Sequence, residues 1–194
     1  MWTTRARFCP LCAAPLEERD VGGRARPACT ACAFVLYAGP AGAAAAVVLD
    51  ADRRVLLVRR SIPPYEGAWA LPAGYQELEE SPAAAVEREV LEETGLEIRV
   101  VGLLDLQHVP DDPRKPANVA VHLAHPVDPD ARARAGDDAA AVGWFPLDAL
   151  PEDLGFPDNR RILEALAGGE GYPLPLPGSR PARPPEAAPP RPEP

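Results

Sequence analysis

The stretch that most constrains this chain runs from Gly74 to Leu96, Gly-Tyr-Gln-Glu-Leu-Glu-Glu-Ser-Pro-Ala-Ala-Ala-Val-Glu-Arg-Glu-Val-Leu-Glu-Glu-Thr-Gly-Leu. It reads as a loop feeding an acidic helix. Ser81 is a good N-cap, because its hydroxyl accepts from a backbone N–H that the first helical turn leaves unpaired. Pro82 follows at the first helical position, where no donor is lost. Gly95 suits the residue just past the helix, where the backbone turns left-handed. Ala83, Val86 and Val90 recur at i, i+3 and i+7 and predict a buried stripe. Glu89, Glu92 and Glu93 stand at i, i+3 and i+4, so their carboxylates are expected on one face, away from that stripe.

Like charges so spaced cost a few tenths of a kcal/mol per pair on an isolated helix. A solvated acidic face is the ordinary reading of a Glu-rich helix; a bound cation explains the clustering better. Hard divalent cations take oxygen ligands, and Mg²⁺ combines a few carboxylates with waters and substrate phosphates.

The positions Gly74, Glu80, Arg88, Glu89, Val90, Glu92, Glu93, Gly95 and Leu96, in one ungapped run, resemble the Nudix box throughout. A looser resemblance extends from about Ala43 to Leu166 and includes the approach Trp69-Ala70-Leu71-Pro72-Ala73. The resemblance implies an α/β/α sandwich and hydrolysis of a nucleoside diphosphate linked to another group, X, by water attack on phosphorus. It also implies that Glu89, Glu92 and Glu93 hold Mg²⁺ or Mn²⁺, with a backbone carbonyl near Ala73 or Gly74 as a further ligand. Arg88 and Glu80 resemble the family's supporting pair, the guanidinium forking onto a carboxylate to fix helix to loop. Some Nudix enzymes that cleave nucleotide sugars recruit a carboxylate from a loop just before the last strand. Asp137 and Asp138 stand there, and Asp138 joins the candidate catalytic residues; a solvated loop charge is the alternative.

Ahead of this region lie Cys9-Pro10-Leu11-Cys12 and Cys29-Thr30-Ala31-Cys32. Two C-x₂-C pairs at this separation fit a four-cysteine zinc site. A unit this small cannot build a stabilising core, so a metal staple is expected. Iron is the alternative metal, and two disulfides fit poorly with a chain lacking export signals. The unit resembles the zinc ribbon that precedes the catalytic domain in some Nudix enzymes. With little basic–aromatic interleaving beyond Arg5, Arg7 and Phe8, it reads as a scaffold and not a nucleic-acid module.

The chain therefore divides into a ribbon over 1–38, a Nudix domain over 39–170 and a tail over 171–194. Strands are expected at Ala43–Leu49, Val55–Arg59, Trp69–Leu71, Ile98–Gln107, Val119–Leu123 and Ala141–Phe145. Gly39 to Gly42 reads as a linker. A final helix is expected over Asn159–Ala167, with Asp158 as its N-cap. His122 and His125 fall on opposite faces of an extended segment, so separate roles are expected instead of a metal pair. Ten of the 23 residues from Tyr172 onward are proline, which predicts a disordered or polyproline tail.

The net charge of −9 argues against broad binding to nucleic acid or anionic membranes. Acidity is concentrated near the box: Gln76 to Glu97 holds eight Glu against one Arg. The uncharged run from Pro27 to Leu49 is too Ala-rich and too broken by Gly39-Pro40 to span a membrane. No signal-peptide pattern opens the chain, so a cytoplasmic enzyme is expected, as a possible homodimer, with a small-molecule nucleotide as its partner.

Zinc-ribbon Nudix enzymes that act on NADH carry a Ser-Gln-Pro-Trp-Pro-Phe-type stretch after the box. Leu103 to Pro110 lacks it, which turns the expectation to ADP-ribose, with flavin adenine dinucleotide next; Pro110 also resembles the proline of ADP-ribose enzymes. A triphosphate-sanitising hydrolase of the 8-oxo-dGTP type, or a ligand-binding regulator without chemistry, are the alternatives. Every box carboxylate is present, which disfavours the regulator. Trp69, Tyr75 and Trp144 are candidates for stacking on a base, though the two tryptophans suit a core equally well.

Overall fold

The computed structural model describes residues 5–110, 115–136 and 138–169. Its organising strand is β3, Ala41–Val48. Along Ala44-Ala45-Ala46-Val47-Val48-Leu49 no polar residue interrupts the sequence, because both faces are covered. Ala44, Ala46 and Val48 face one apolar cluster with α1 (Pro82–Thr94), while Ala45, Val47 and Leu49 face another with α2 (Pro157–Ala167). Strand β4, Arg54–Arg60, divides likewise: Leu56 joins the α1 cluster, Val55 and Leu57 the α2 cluster. This is the expected α/β/α sandwich, with one mixed and one antiparallel sheet between two helices.

The central layer has two sheets. One runs β6–β3–β8–β7, with β6 at Ala73–Tyr75, β7 at Ile98–Val109 and β8 at Ala117–Pro126. Strands β3 and β8 are parallel and pair along all of β3, from Ala41 opposite Ala117 to Val48 opposite Ala124. The other runs β5–β4–β9, with β5 at Trp69–Ala70 and β9 at Ala139–Pro146. Asp50 closes the β3–β4 turn, its Oδ1 accepting from the Asp52 and Arg54 amides at 3.0 and 2.8 Å.

The N-terminal unit is a hairpin, β1 Leu16–Asp20 against β2 Ala25–Cys29, turned by Gly22 and Gly23 at φ 64° and 77°. Strands β1, β2 and β6 were not legible from periodicity. All the expected strands form, most of them longer than their apolar cores. The segment expected as a linker already pairs from Ala41, because its amide donates to the Pro116 carbonyl at 2.8 Å.

Helix α1 has the expected caps. Ser81 Oγ accepts from the Ala84 amide at 3.1 Å, and Gly95 at φ 69° sends its amide to the Leu91 carbonyl. Its buried stripe differs from the sequence reading. It comprises Ala85, Val86, Val90, Glu93 and Thr94, and Ala83 is only half-buried. One of the three carboxylates thus lies on the buried face itself. The helix crosses both β3 and the β6 loop, so its covered stripe is wide enough to include Glu93. Helix α2 starts at Pro157 after Phe156 at φ 54°, with no side-chain cap; Asp158 is a first-turn residue whose carboxylate meets Arg161 Nε at 3.5 Å. The proline-rich tail lies outside the described residues, as does Asp137.

Candidate active site

The site forms where β6 passes beneath α1. Gly74 lies so close to the helix that a Cβ there would sit 2.0 Å from the Glu89 carboxyl carbon. Only glycine lets the loop reach that carboxylate. Next to it, the Ala73 amide donates to Glu93 Oε2 at 3.2 Å. Arg88 ties loop to helix: Nε donates to Glu80 Oε1 at 2.7 Å and Nη2 to Glu80 Oε2 at 3.0 Å. Its Nη1 reaches Glu89 Oε1 at 2.8 Å and Glu92 Oε2 at 2.9 Å, and Nη2 also donates to the Tyr75 carbonyl at 3.1 Å. The bidentate hold of the Arg88 fork keeps the Glu80 carboxyl below its usual range.

Two carboxylates face inward. Burial raises Glu89, against the pull of Arg88. Burial, then the charge of Glu89, pushes Glu93 up to about 8, although the Ala73 amide and Arg60 oppose this. A buried Glu93 beside a half-buried Glu89 brings hard carboxylate oxygens together, and such a pair fits a divalent cation. Glu92 is the outlier: its side chain is 56% exposed and leans on Arg88. Among the described residues, the box carboxylates do not converge as tightly as the cysteine sulfurs do.

Glu89, Glu93, Ala73 and Gly74 line a cleft of about 320 Å³ together with Tyr75 and Asp138. Asp138 arrives from across the fold. Its loop is fastened to the C-terminal end of α1, the Arg134 amide donating to the Thr94 carbonyl and the Gly136 amide to Glu93, both at 2.8 Å. A Cβ on Gly136 would lie 1.9 Å from the Glu92 carbonyl oxygen. The Asp138 carbonyl also accepts from Ser61 Oγ at 2.7 Å.

Of the proposed stacking rings, Tyr75 lines the cleft, with Lys115 Nζ 4.2 Å from its ring centroid. Trp69 packs edge-on against Phe145 with centroids 4.8 Å apart, and Trp144 packs on the α1 cluster. Both are structural. His125 Nδ1 lies 2.9 Å from the Leu49 carbonyl oxygen, whereas His122 is buried, so they do not form a pair. Arg60 and Phe156 also line the cleft, and no sequence motif pointed to them.

In the N-terminal unit, Cys9 and Cys32 Sγ are 3.7 Å apart, Cys12 and Cys29 3.5 Å, and Cys12 and Cys32 3.7 Å. A tetrahedral site with Zn–S bonds of about 2.3 Å requires sulfur separations of roughly 3.8 Å, so the four fit zinc. All four are free thiols, which excludes the two disulfides. The Ala31 amide leads in drawing Cys29 down to about 6. Cys12 goes up to about 12, its neighbouring sulfurs outweighing the Ala14 amide.

The sandwich and this glycine-loop, carboxylate-helix cleft define a class of pyrophosphohydrolases. The NUDIX domain model matches residues 39–166, and the chain belongs to that family. It is 37% identical over 132 residues to the ADP-ribose pyrophosphatase of Methanocaldococcus jannaschii, covering 68% of this chain and 75% of that protein. Against an 8-oxo-dGDP phosphatase of Homo sapiens it is 33% identical over 125 residues, 63% of this chain and 37% of that one. The crystal structure of a NUDIX hydrolase from Nitrosomonas europaea superposes with a TM-score of 0.75 at 25% identity, covering 87% of this chain and 97% of that one. No helix among the described residues is long and apolar enough to cross a membrane.

Proposed function

We propose that the chain hydrolyses the diphosphate of a nucleoside diphosphate linked to a sugar, with ADP-ribose as the leading substrate. The observation that carries this reading is the meeting of Glu89, Glu93 and Asp138, from two distant segments, in one cleft beside Tyr75. Similarity to an archaeal ADP-ribose pyrophosphatase supports it.

Glu89, Glu92 and Glu93 are the residues that would hold Mg²⁺ or Mn²⁺. When bound, such an ion neutralises charge on the diphosphate and acidifies a coordinated water. Arg88 holds Glu89 and Glu80 in fixed positions, so helix and loop present their groups without reorganisation. Asp138, which lines the cleft from the side of the β9 loop, is the residue we assign to take a proton from the attacking water. Tyr75 supplies a flat face at the cleft for the nucleobase.

The direct test is kcat/KM with Mg²⁺ for ADP-ribose, flavin adenine dinucleotide, NADH and 8-oxo-dGTP. ADP-ribose should lead, yielding AMP and ribose 5-phosphate. A clear preference for the triphosphate assigns the protein to the sanitising hydrolases instead. Absence of turnover on all four turns the reading to a ligand-binding regulator.

A further inference from the structure

Strand β4 ends at Arg60, and its ladder with β9 is irregular there. Arg59 lies opposite Ala141 and Arg60 opposite Ala139, so Ala140 is an extra residue on β9. A bulge bends its strand and re-aims the residues beside it, and Asp138 stands just before this one. Past the end of β4, Ser61 makes two hydrogen bonds to a single atom. Its amide donates to the Asp138 carbonyl at 3.2 Å, and its Oγ donates to the same oxygen at 2.7 Å. The hydroxyl bond is the shorter, so the side chain holds the Asp138 carbonyl more closely than the backbone does. Ser61 is exposed, and burial gives no reason for a hydroxyl there. Two residues before Asp138, the Gly136 amide is bonded to the Glu93 carbonyl. Asp138 is thus fastened on one side to α1 and on the other to the end of β4. Its carboxylate lines the same cleft as Glu89 and Glu93, and like charges push it outward. An unfastened loop end yields to that push by turning its carboxylate to water. A short hydrogen bond to the carbonyl of the same residue opposes the turn.

We propose that Ser61 is a positioning residue for the hydrolysis, its hydroxyl holding Asp138 at the cleft where that carboxylate takes the proton of the attacking water. The inference rests on the assignment of Asp138 made above and adds the group that keeps the base in place.

The test is a double-mutant cycle of Ser61→Ala and Asp138→Asn, measured with Mg²⁺ on whichever of the four substrates above is turned over best. Ser61→Ala deletes the shorter bond and keeps the amide bond. It should lower kcat by about five- to tenfold and leave KM within about twofold of the parent. Ser61→Thr, which keeps the hydroxyl, should retain most of the parental kcat. In the Asp138→Asn background the Ser61→Ala change should cost less than about twofold, because no base is left to misplace. Hydrogen exchange gives a readout independent of turnover: peptides containing Gly136 and Ala139 should exchange faster in Ser61→Ala than in the parent. A parental kcat in Ser61→Ala, equal losses in both backgrounds, a threonine variant as slow as the alanine one, or parental exchange overturns the proposal and leaves Asp138 as the base. Parental turnover in Asp138→Asn, or no turnover in the parent, removes the base assignment itself, and the role of Ser61 falls with it.

Discussion

Gly74 and Glu93 make opposite demands on the same few cubic ångströms. A methyl at Gly74 would meet the far end of a flexible side chain, the Glu89 carboxyl. The side chain can swing away, so the expected stability cost is small, under about 1.5 kcal/mol. Its displacement removes one of the two inward carboxylates from the cleft. Gly74→Ala should therefore lower kcat by about a hundredfold or more while melting close to the parent; a variant with parental kcat shows that Glu89 is not needed where it stands. Glu93 is buried beside a second carboxylate, so its charge is a liability without a cation. Glu93→Gln should equal or exceed the parent in melting temperature in EDTA, yet lose activity by orders of magnitude at saturating Mg²⁺. Near-parental turnover there refutes the ligand assignment.

At the scale of the element, the decisive contact is the loop before β9 on the end of α1. The last carbonyls of a helix lack intrahelical partners, and here the Arg134 and Gly136 amides fill two of those vacancies. The same hydrogen bonds carry Asp138 into the cleft. In contrast with Gly74, a methyl on Gly136 would meet backbone, at 1.9 Å from the Glu92 carbonyl oxygen. Backbone cannot swing aside. Gly136→Ala should thus lower stability by about 1–3 kcal/mol, read as a fall in melting temperature. It should also reduce kcat to about the level of Asp138→Asn, because both remove the same carboxylate from the site. If Asp138→Asn retains full turnover, this loop is only a helix cap.

On the scale of the whole molecule, the N-terminal hairpin stands apart from the sandwich in how it is stabilised. Among the described residues its buried apolar ones are Cys9, Ala28 and Cys29, far too few to hold a fold. Four sulfurs at zinc spacing supply what a core does not. We expect one equivalent of zinc to survive dialysis against a weak chelator. Stripping it, or Cys29→Ser, should unfold the hairpin and lower thermal stability before kcat changes at ambient temperature. Four rapidly titrating thiols with no metal would falsify the assignment.

The sequence by itself determined the local grammar of this protein. Ser81, Pro82 and Gly95 bound α1, because caps depend only on neighbouring backbone. The nine box positions and the paired cysteines were equally legible, since spacing along a helix or a knuckle fixes which groups meet. Tertiary structure alone decided what those groups meet beyond their own segment. The helical spacing of Glu93 placed it with Glu89 and Glu92, but only the β6 loop and the crossing of β3 bury it. Nothing local marks Arg60 or Phe156, which reach the cleft from β4 and the α2 entry. Their roles arise from strand pairing between residues far apart in the chain, and pairing of that kind follows from how two faces share one core, not from any local pattern.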